Sequence, residues 1–399
     1  MIRKVVCVFV DALRAEFIDK EMTPFLFKLA NTCHSMEIET ILGYSDVIDA
    51  TIFTGVYPNV HGYWMKYHYD PTNSPFKSSI FLPLRIIDYI PSPFIRSGIN
   101  YVLYNTFYKL LSYKLGYNEL ASFNIPYYLL HNFSITLRKS MMDEDAFKIP
   151  TIFGLLRAKN KKFYYSHGIK SETFQTLKEV DLGIVYLSDI DFWAHLVGID
   201  SAQFKKSLSK LDKKVESIFK NSVENYPDTV FIVFSDHGMA NVHTLLNFRE
   251  LLEDKDFCNH YMMVLDGTMI RFWYFNENIK QKIRAYFLEK KYGHFLSESE
   301  KKDLQINFSH NKWGDDIFLL DQGFAIYPNF MSWARPKAMH AYHPKYKEQK
   351  GCFILSGRPC KKLESINLVD IMPTILDILE IKIPDNVEGT SLLEGNGSN

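Results

Sequence analysis

Two kinds of segment alternate in the hydrophobic pattern of the chain. Val5 to Val10 is an unbroken apolar run, four of its six residues Val, and it stops at Asp11. A short β-branched run with no polar side predicts a strand covered on both faces, as in a parallel sheet. Leu182 to Leu187 repeats the pattern and stops at Ser188-Asp189-Ile190-Asp191, and Thr229 to Phe234 stops at Ser235-Asp236-His237-Gly238. Phe163 to Ser166 and Cys352 to Ser356 read as further strands. Elsewhere the period is helical. Met22 to Ala30 starts at Thr23-Pro24, a favoured helix opening. Ser201 to Asn221 puts Phe204, Leu208, Leu211, Val215 and Phe219 on one face, and Val369 to Leu379 is amphipathic. The alternation predicts the α/β class: a sandwich with a mostly parallel central sheet and helices on both faces.

Two stretches break this rhythm. From about Trp64 to Lys161 the chain turns aromatic and basic: Ser79 to Lys139 contains only Asp88 and Glu119 as acids, against Arg85, Arg96, Lys109, Lys114, Arg138 and Lys139. Leu120 to Leu137 is uncharged and long enough for a membrane span, but Asn124, Pro126, His131 and Asn132 interrupt it. A cap over an active site is the expectation, with 79–139 also suited to membrane or lipid contact. The second stretch, 247–333, mixes strands such as Met269 to Phe275 with a helix near Ile279 to Lys290. The organisation expected is one catalytic domain over 1–399, with a cap-like insert at 64–161 and an α+β insert at 247–333.

Composition narrows the choice of partner. Lys plus Arg and Asp plus Glu are equal at 46 each, which gives no electrostatic reason to expect a nucleic-acid polymer. Cys7, Cys33, Cys258, Cys352 and Cys360 are scattered and odd in number, against a disulfide framework. The apolar run before Asp11 is too short for a signal segment, so a cytoplasmic location is expected.

The candidate chemistry sits where the strands end. Open α/β sheets bind ligands outside the carboxyl ends of their strands. Asp11, Asp191 with His195 four residues on, and Asp236 beside His237 all fall there, and His340 and His343 form a further cluster. Carboxylates beside neutral imidazoles are what a zinc or mixed zinc–manganese site requires. Two such ions would stabilise the attacking and leaving oxygens of an in-line displacement at phosphorus. Ser45 opens the helix that Thr54-Gly55 and Tyr57-Pro58 close, and a helix N-terminus favours anionic groups. The plainer reading of Ser45 is an N-cap.

The order of these pieces resembles the alkaline phosphatase superfamily, and within it the type I phosphodiesterase/nucleotide pyrophosphatase family. The segments that carry the likeness are VVCVFVDALR, SDVIDATIFTGVYPNVHG, SDIDFWAH, VFIVFSDHGM, MHAYHP, LVDIMPTILDILEI and NVEGTSLL, spread over nearly the whole chain. The resemblance implies an alkaline-phosphatase-like fold and two divalent metal ions, Zn²⁺ first and Mn²⁺ second. It puts one ion on Asp191, His195 and His340, the other on Asp11, Asp236 and His237, with Ser45 as ligand and nucleophile. Three departures stand out: Ser replaces the usual Thr, Ile48 stands where a phosphate-contacting Asn is expected, and the usual HGYD reads His340-Ala341-Tyr342-His343. The expected function is hydrolysis of a phosphodiester or pyrophosphate bond in a small nucleotide-type substrate. The alternatives are a phosphomonoesterase, phosphonate hydrolase or phospho-group transferase on the same metals, or a non-catalytic binding protein that keeps the fold.

Overall fold

The computed structural model describes residues 4–224, 226–248, 251 and 260–394. In chain order, the strands of its two larger sheets are β1 (Lys4–Val10), β2 (His34–Glu39), β3 (Phe163–His167), β4 (Leu182–Leu187), β5 (Thr229–Phe234), β6 (Tyr261–Leu265), β7 (Met269–Tyr274), β8 (Gly293–Phe295), β9 (Asp316–Leu320), β10 (Gly351–Ser356) and β11 (Ser365–Asn367). The seven-stranded sheet runs β11-β2-β10-β5-β1-β4-β3, and the four-stranded one β6-β7-β9-β8. Every neighbouring pair of the large sheet is parallel except the two made by β10, which is antiparallel to β2 and to β5.

The helices used below are α1 (Pro24–Thr32), α2 (Ser45–Thr54), α3 (Pro93–Leu103), α4 (Lys109–Leu115), α5 (Ile152–Ala158), α6 (Asp189–Val197), α7 (Ala202–Phe219), α8 (Glu277–Leu288) and α9 (Ile371–Ile378). Side chains alternate along a strand, so an apolar run buries both faces of a sheet only if helices cover both. Val5, Cys7 and Phe9 pack with residues of α2, α5 and α9, whereas Val6, Val8 and Val10 pack with residues of α1, α6 and α7. The result is a three-layer α/β sandwich. Helices also tie to each other through their ends: the Asp212 carboxylate on α7 accepts from the amides of Phe25 and Leu26 at the start of α1.

A further apolar core gathers residues from 67–135 and from 248–330, including Tyr67, Tyr108, Phe133, Met263, Trp273 and Phe318. The two departing stretches of sequence therefore pack on one another. A buried ion pair pins them: the Arg271 guanidinium meets Asp266 at 2.7 and 3.3 Å and donates to the Tyr67 carbonyl at 3.1 Å. The uncharged run from Leu120 to Leu137 is part of this core rather than a span. It holds one short helix, Tyr127–Leu130, and a strand, Phe133–Ile135, paired with Tyr67–Tyr69. No helix of the described residues is long and apolar enough to cross a membrane. Part of the second stretch, residues 249–250 and 252–259, with Cys258, lies outside the described residues.

Candidate active site

In the large sheet β4, β1 and β5 are neighbours, so their carboxyl ends deliver Asp191, Asp11 and Asp236 to one place. The backbone leaves β1 abruptly. Ala12 is left-handed at φ 62°, and its amide donates to Asp236 Oδ1 at 3.2 Å. The His237 amide donates to the same oxygen at 2.9 Å. Gly238 follows because nothing larger fits: a Cβ there would stand 2.2 Å from the Glu348 carbonyl oxygen. The segment carrying His340 is held from two sides. Ala338–Met339 pairs with Ala240–Asn241, while the Lys337 amide donates to the His195 carbonyl at 2.8 Å. Ala341, next after His340, is again left-handed at φ 63°. A non-glycine residue there costs about 1 kcal/mol or more and persists where its surroundings fix it.

The donor atoms converge. One atom each from Asp11, Asp236 and His237 lie within 4.8 Å of one another, and so do atoms of Asp191, His237 and His340. His237 Nε2 is 3.4 Å from Asp11 Oδ1 and 3.2 Å from Asp236 Oδ2. His195 Nε2 is 3.3 Å from Asp191 Oδ1. The rings of His237 and His340 stack at 3.8 Å. His237 Nδ1 faces the Gly238 carbonyl and His195 Nδ1 the Ala338 carbonyl, each at 2.8 Å. Carbonyls only accept, so both Nδ1 atoms carry a proton, which leaves Nε2 of each ring as the atom that would ligate a cation.

The charges do not balance within the protein. Burial, then the Asp191 and Asp236 charges, raise the Asp11 carboxyl well above its ordinary range. Burial and the Asp191 charge push Asp236 up to about 7. Burial alone would lower His195, but Asp191 beside it prevails and raises it to about 9. Burial and the neighbouring His237 drive His340 far below the usual imidazole range. Asp11 Oδ1, Asp191 Oδ1 and Asp236 Oδ2 are buried without a hydrogen-bond partner. No lysine or arginine pairs with these three acids among the described residues. Buried carboxylate oxygens left unsatisfied beside imidazole lone pairs are a donor set that fits divalent cations.

Ser45 is the first residue of α2, but Tyr44 is its N-cap, and no side chain caps the helix. The Ser45 hydroxyl instead lies 3.2 Å from His237 Nε2. Thus the structure brings Asp11, Ser45, Asp191, His195, Asp236, His237 and His340 into one cluster. The position expected for a phosphate contact is different: Ile48 is 1% exposed and belongs to the main core. Its side chain packs in the core beside Val47 and Ile52 of the same helix and offers no polar group to a phosphate. His343 also lies outside, 3.6 Å from Glu300.

Three nearby residues have little or no signal in the sequence. The Tyr186 hydroxyl donates to Asp11 Oδ2, a contact that follows from the pairing of Phe9 with Tyr186 across β1 and β4. Asp49, one turn after Ser45, has a buried partnerless oxygen, and its carboxyl is raised by burial and by Asp236. Its helical spacing from Ser45 is the one readable clue. Tyr44 packs edge-on to His340 at 5.7 Å and accepts from the Thr268 amide at 3.0 Å. It separates two cavities: one of about 330 Å³ beside Phe192, His195, Trp333 and His340, and one of about 190 Å³ beside Asp46, Lys66, Phe123 and Arg271.

The sequence model of the type I phosphodiesterase/nucleotide pyrophosphatase family matches residues 105–342, more than half of the chain. The chain belongs to this family. The phosphodiesterase/pyrophosphatase match takes in Asp191, His195, Asp236, His237 and His340, and leaves Asp11 and Ser45 outside its bounds. Membership places the chain among phosphodiester and pyrophosphate hydrolases, in line with a resemblance read from its motifs. Among solved structures, murine ectonucleotide pyrophosphatase/phosphodiesterase 5, as an inactive variant in complex with AMP, superposes with a TM-score of 0.67 at 15% identity, over 96% of this chain and 97% of that one. The murine protein by itself gives the same values. The human counterpart gives 0.66 at 15% identity, over 97% of each chain. At that identity the likeness concerns the fold, which is alkaline-phosphatase-like. A search of curated proteins finds no match.

Proposed function

We propose that this chain hydrolyses a phosphodiester or pyrophosphate bond in a small nucleotide-type substrate, with Ser45 as nucleophile and two divalent cations, Zn²⁺ before Mn²⁺, as cofactors. The observation that carries the reading is the Ser45 hydroxyl, unused as a cap and 3.2 Å from His237 Nε2, beside partnerless oxygens of Asp11 and Asp236. Asp191, His195 and His340 would hold one ion, and Asp11, Asp236, His237 and Ser45 the other. Bound there, the ions supply positive charge that acidifies the hydroxyl and offsets charge gathering on the phosphoryl oxygens.

The chain's own groups do the rest. Ser45 attacks phosphorus in line, forming a serine–phosphoryl ester as the leaving-group oxygen departs from the opposite face. The Val47 and Ile48 amides donate to the Tyr44 carbonyl, so the amides of Ser45 and Asp46 are the ones at this helix start that would donate to the phosphoryl oxygens. Water then attacks the same phosphorus and frees Ser45. Tyr186 and the amides of Ala12 and His237 fix Asp11 and Asp236 throughout. The inserts 64–161 and 247–333 wall the substrate cleft. Unpaired Cys7, Cys33, Cys352 and Cys360 accord with the cytoplasmic location proposed for the chain.

Turnover of bis(p-nitrophenyl) phosphate above that of p-nitrophenyl phosphate, lost on chelation and restored by Zn²⁺ or Mn²⁺, is the expected result. Faster turnover of the monoester would overturn the diesterase assignment, and activity indifferent to chelation would overturn the metal assignment.

A further inference from the structure

Half of the large apolar side chains that stand exposed among the described residues lie between Ile80 and Leu115. The segment from Pro93 to Leu115 is nearly one helix: α3 passes through a π-helical turn, Tyr104–Tyr108, into α4. A helix packed on one side usually shows charge on the other. The exposed side of α7 does so with Lys205, Lys206, Lys210 and Lys213. The exposed side of α3 and α4 carries Phe94, Ile95, Tyr101, Val102, Leu110 and Tyr113 instead, with Phe94 80% and Tyr113 87% exposed. The preceding turn, Ser79–Tyr89, packs on this helix through Phe81, whose ring lies 6.1 Å from those of Phe107 and Tyr108. It adds Ile86 at 72% and Tyr89 at 85% exposure. Contiguous apolar exposure on this scale marks an interaction surface.

Charge selects the occupant. Residues 75–118 contain five basic side chains and one acid, Asp88. That carboxylate accepts from the Tyr127 and Tyr128 amides at 2.9 and 3.0 Å. Lys77, Arg85, Lys109 and Lys114 are exposed, and none is in an ion pair among the described residues. A second copy of this face would oppose cation to cation. Aromatic and aliphatic side chains bordered by Lys and Arg suit the interface of an anionic bilayer. The face also adjoins the cleft: the rings of Tyr101 and Tyr104 lie 5.7 and 6.5 Å from that of Trp333, which lines the cavity beside His195 and His340.

We infer that residues 80–115 form a docking face that seats the protein on an anionic lipid surface without crossing it. Phe94, Tyr113, Ile86 and Tyr89 enter the acyl boundary, while Arg85, Lys109 and Lys114 meet the headgroups. The docking stands apart from the catalytic reading, since it uses none of the residues placed at phosphorus. The test is co-sedimentation of the full chain with phosphatidylcholine vesicles, with and without phosphatidylglycerol. Binding to the mixed vesicles is expected, weakening as salt rises. The double variant Phe94→Ser/Tyr113→Ser should bind at least about tenfold more weakly, with turnover of a soluble chromogenic diester unchanged. Lys109→Glu/Lys114→Glu should lose the preference for anionic vesicles. Absence of binding at low salt, or equal binding by the Phe94→Ser/Tyr113→Ser variant, would overturn the inference. So would a lipid-free dimer that this variant dissolves.

Discussion

Asp11 and Asp236 divide their labour oxygen by oxygen. One oxygen of each is held by the protein, by Tyr186 for Asp11 and by two amides for Asp236, and the other is buried with no partner. Ser45 likewise leaves its helix uncapped and turns its hydroxyl to His237. Groups kept out of the protein's own hydrogen-bond network at this cost are held for something else. Ser45→Ala is therefore expected to lose about three or more orders of magnitude in kcat/KM while keeping its circular dichroism spectrum. Near-full turnover would exclude Ser45 as nucleophile. His340→Ala should lower bound metal by about one ion per chain, measured on purified protein by elemental analysis. Occupancy equal to that of the wild type would remove His340 from the ligand set.

At the scale of elements, the Ser45 helix depends on the loop that ends it. His61 sits buried against α2, its Nε2 3.1 Å from Thr51 Oγ1, and its Nδ1 accepts from the Tyr63 amide at 3.2 Å. Burial lowers its pKa from 6.5 to about 3. A histidine depressed in the folded state contributes stability above its unfolded value and loses it as pH falls toward the folded one. The urea midpoint should thus fall between about pH 6.5 and pH 3, and more steeply in the wild type than in His61→Gln. Gly238→Ala, crowding the Glu348 carbonyl, should cost about 1–3 kcal/mol in the same assay. How much of this is legible in the sequence varies with the physics. β1, β4 and β5 are plain because strands buried on both faces have no polar residues, and the acids that end them mark the site. Asp49 and Tyr186 are obscure because their roles depend on register and burial, not on spacing alone. Ile48, where the resemblance leads one to expect a phosphate-contacting Asn, is a buried core residue, so its apolar side chain fits packing rather than phosphate contact.

For the molecule as a whole, the two stretches outside the α/β pattern act together. They share a core, are bridged by Arg271, and bring Phe123, Trp333 and Lys66 to the cleft. Their composition announces a separate body, but nothing in either stretch reveals that each completes the other's core. Phe123→Ala should raise KM for a nucleotide-sized substrate several-fold more than for a small chromogenic diester. Equal effects on both substrates would give that aromatic a purely structural role.

The position of β10 has a consequence for how the protein is made. Within the large sheet β2 pairs only with β10 and β11, and both come from the chain beyond residue 350. During synthesis β1, β4 and β5 can pair as soon as Phe234 is out, but β2 has no strand to join. Ser45, a few residues after β2, is docked on the Asp236 side only when Gly351–Ser356 slides between them. The long separation in sequence makes this pairing slow. A growing chain would bring Asp11, Asp191 and Asp236 together before the proposed nucleophile Ser45 is seated, and hydrolytic competence would wait for Gly351–Ser356 to be made and inserted.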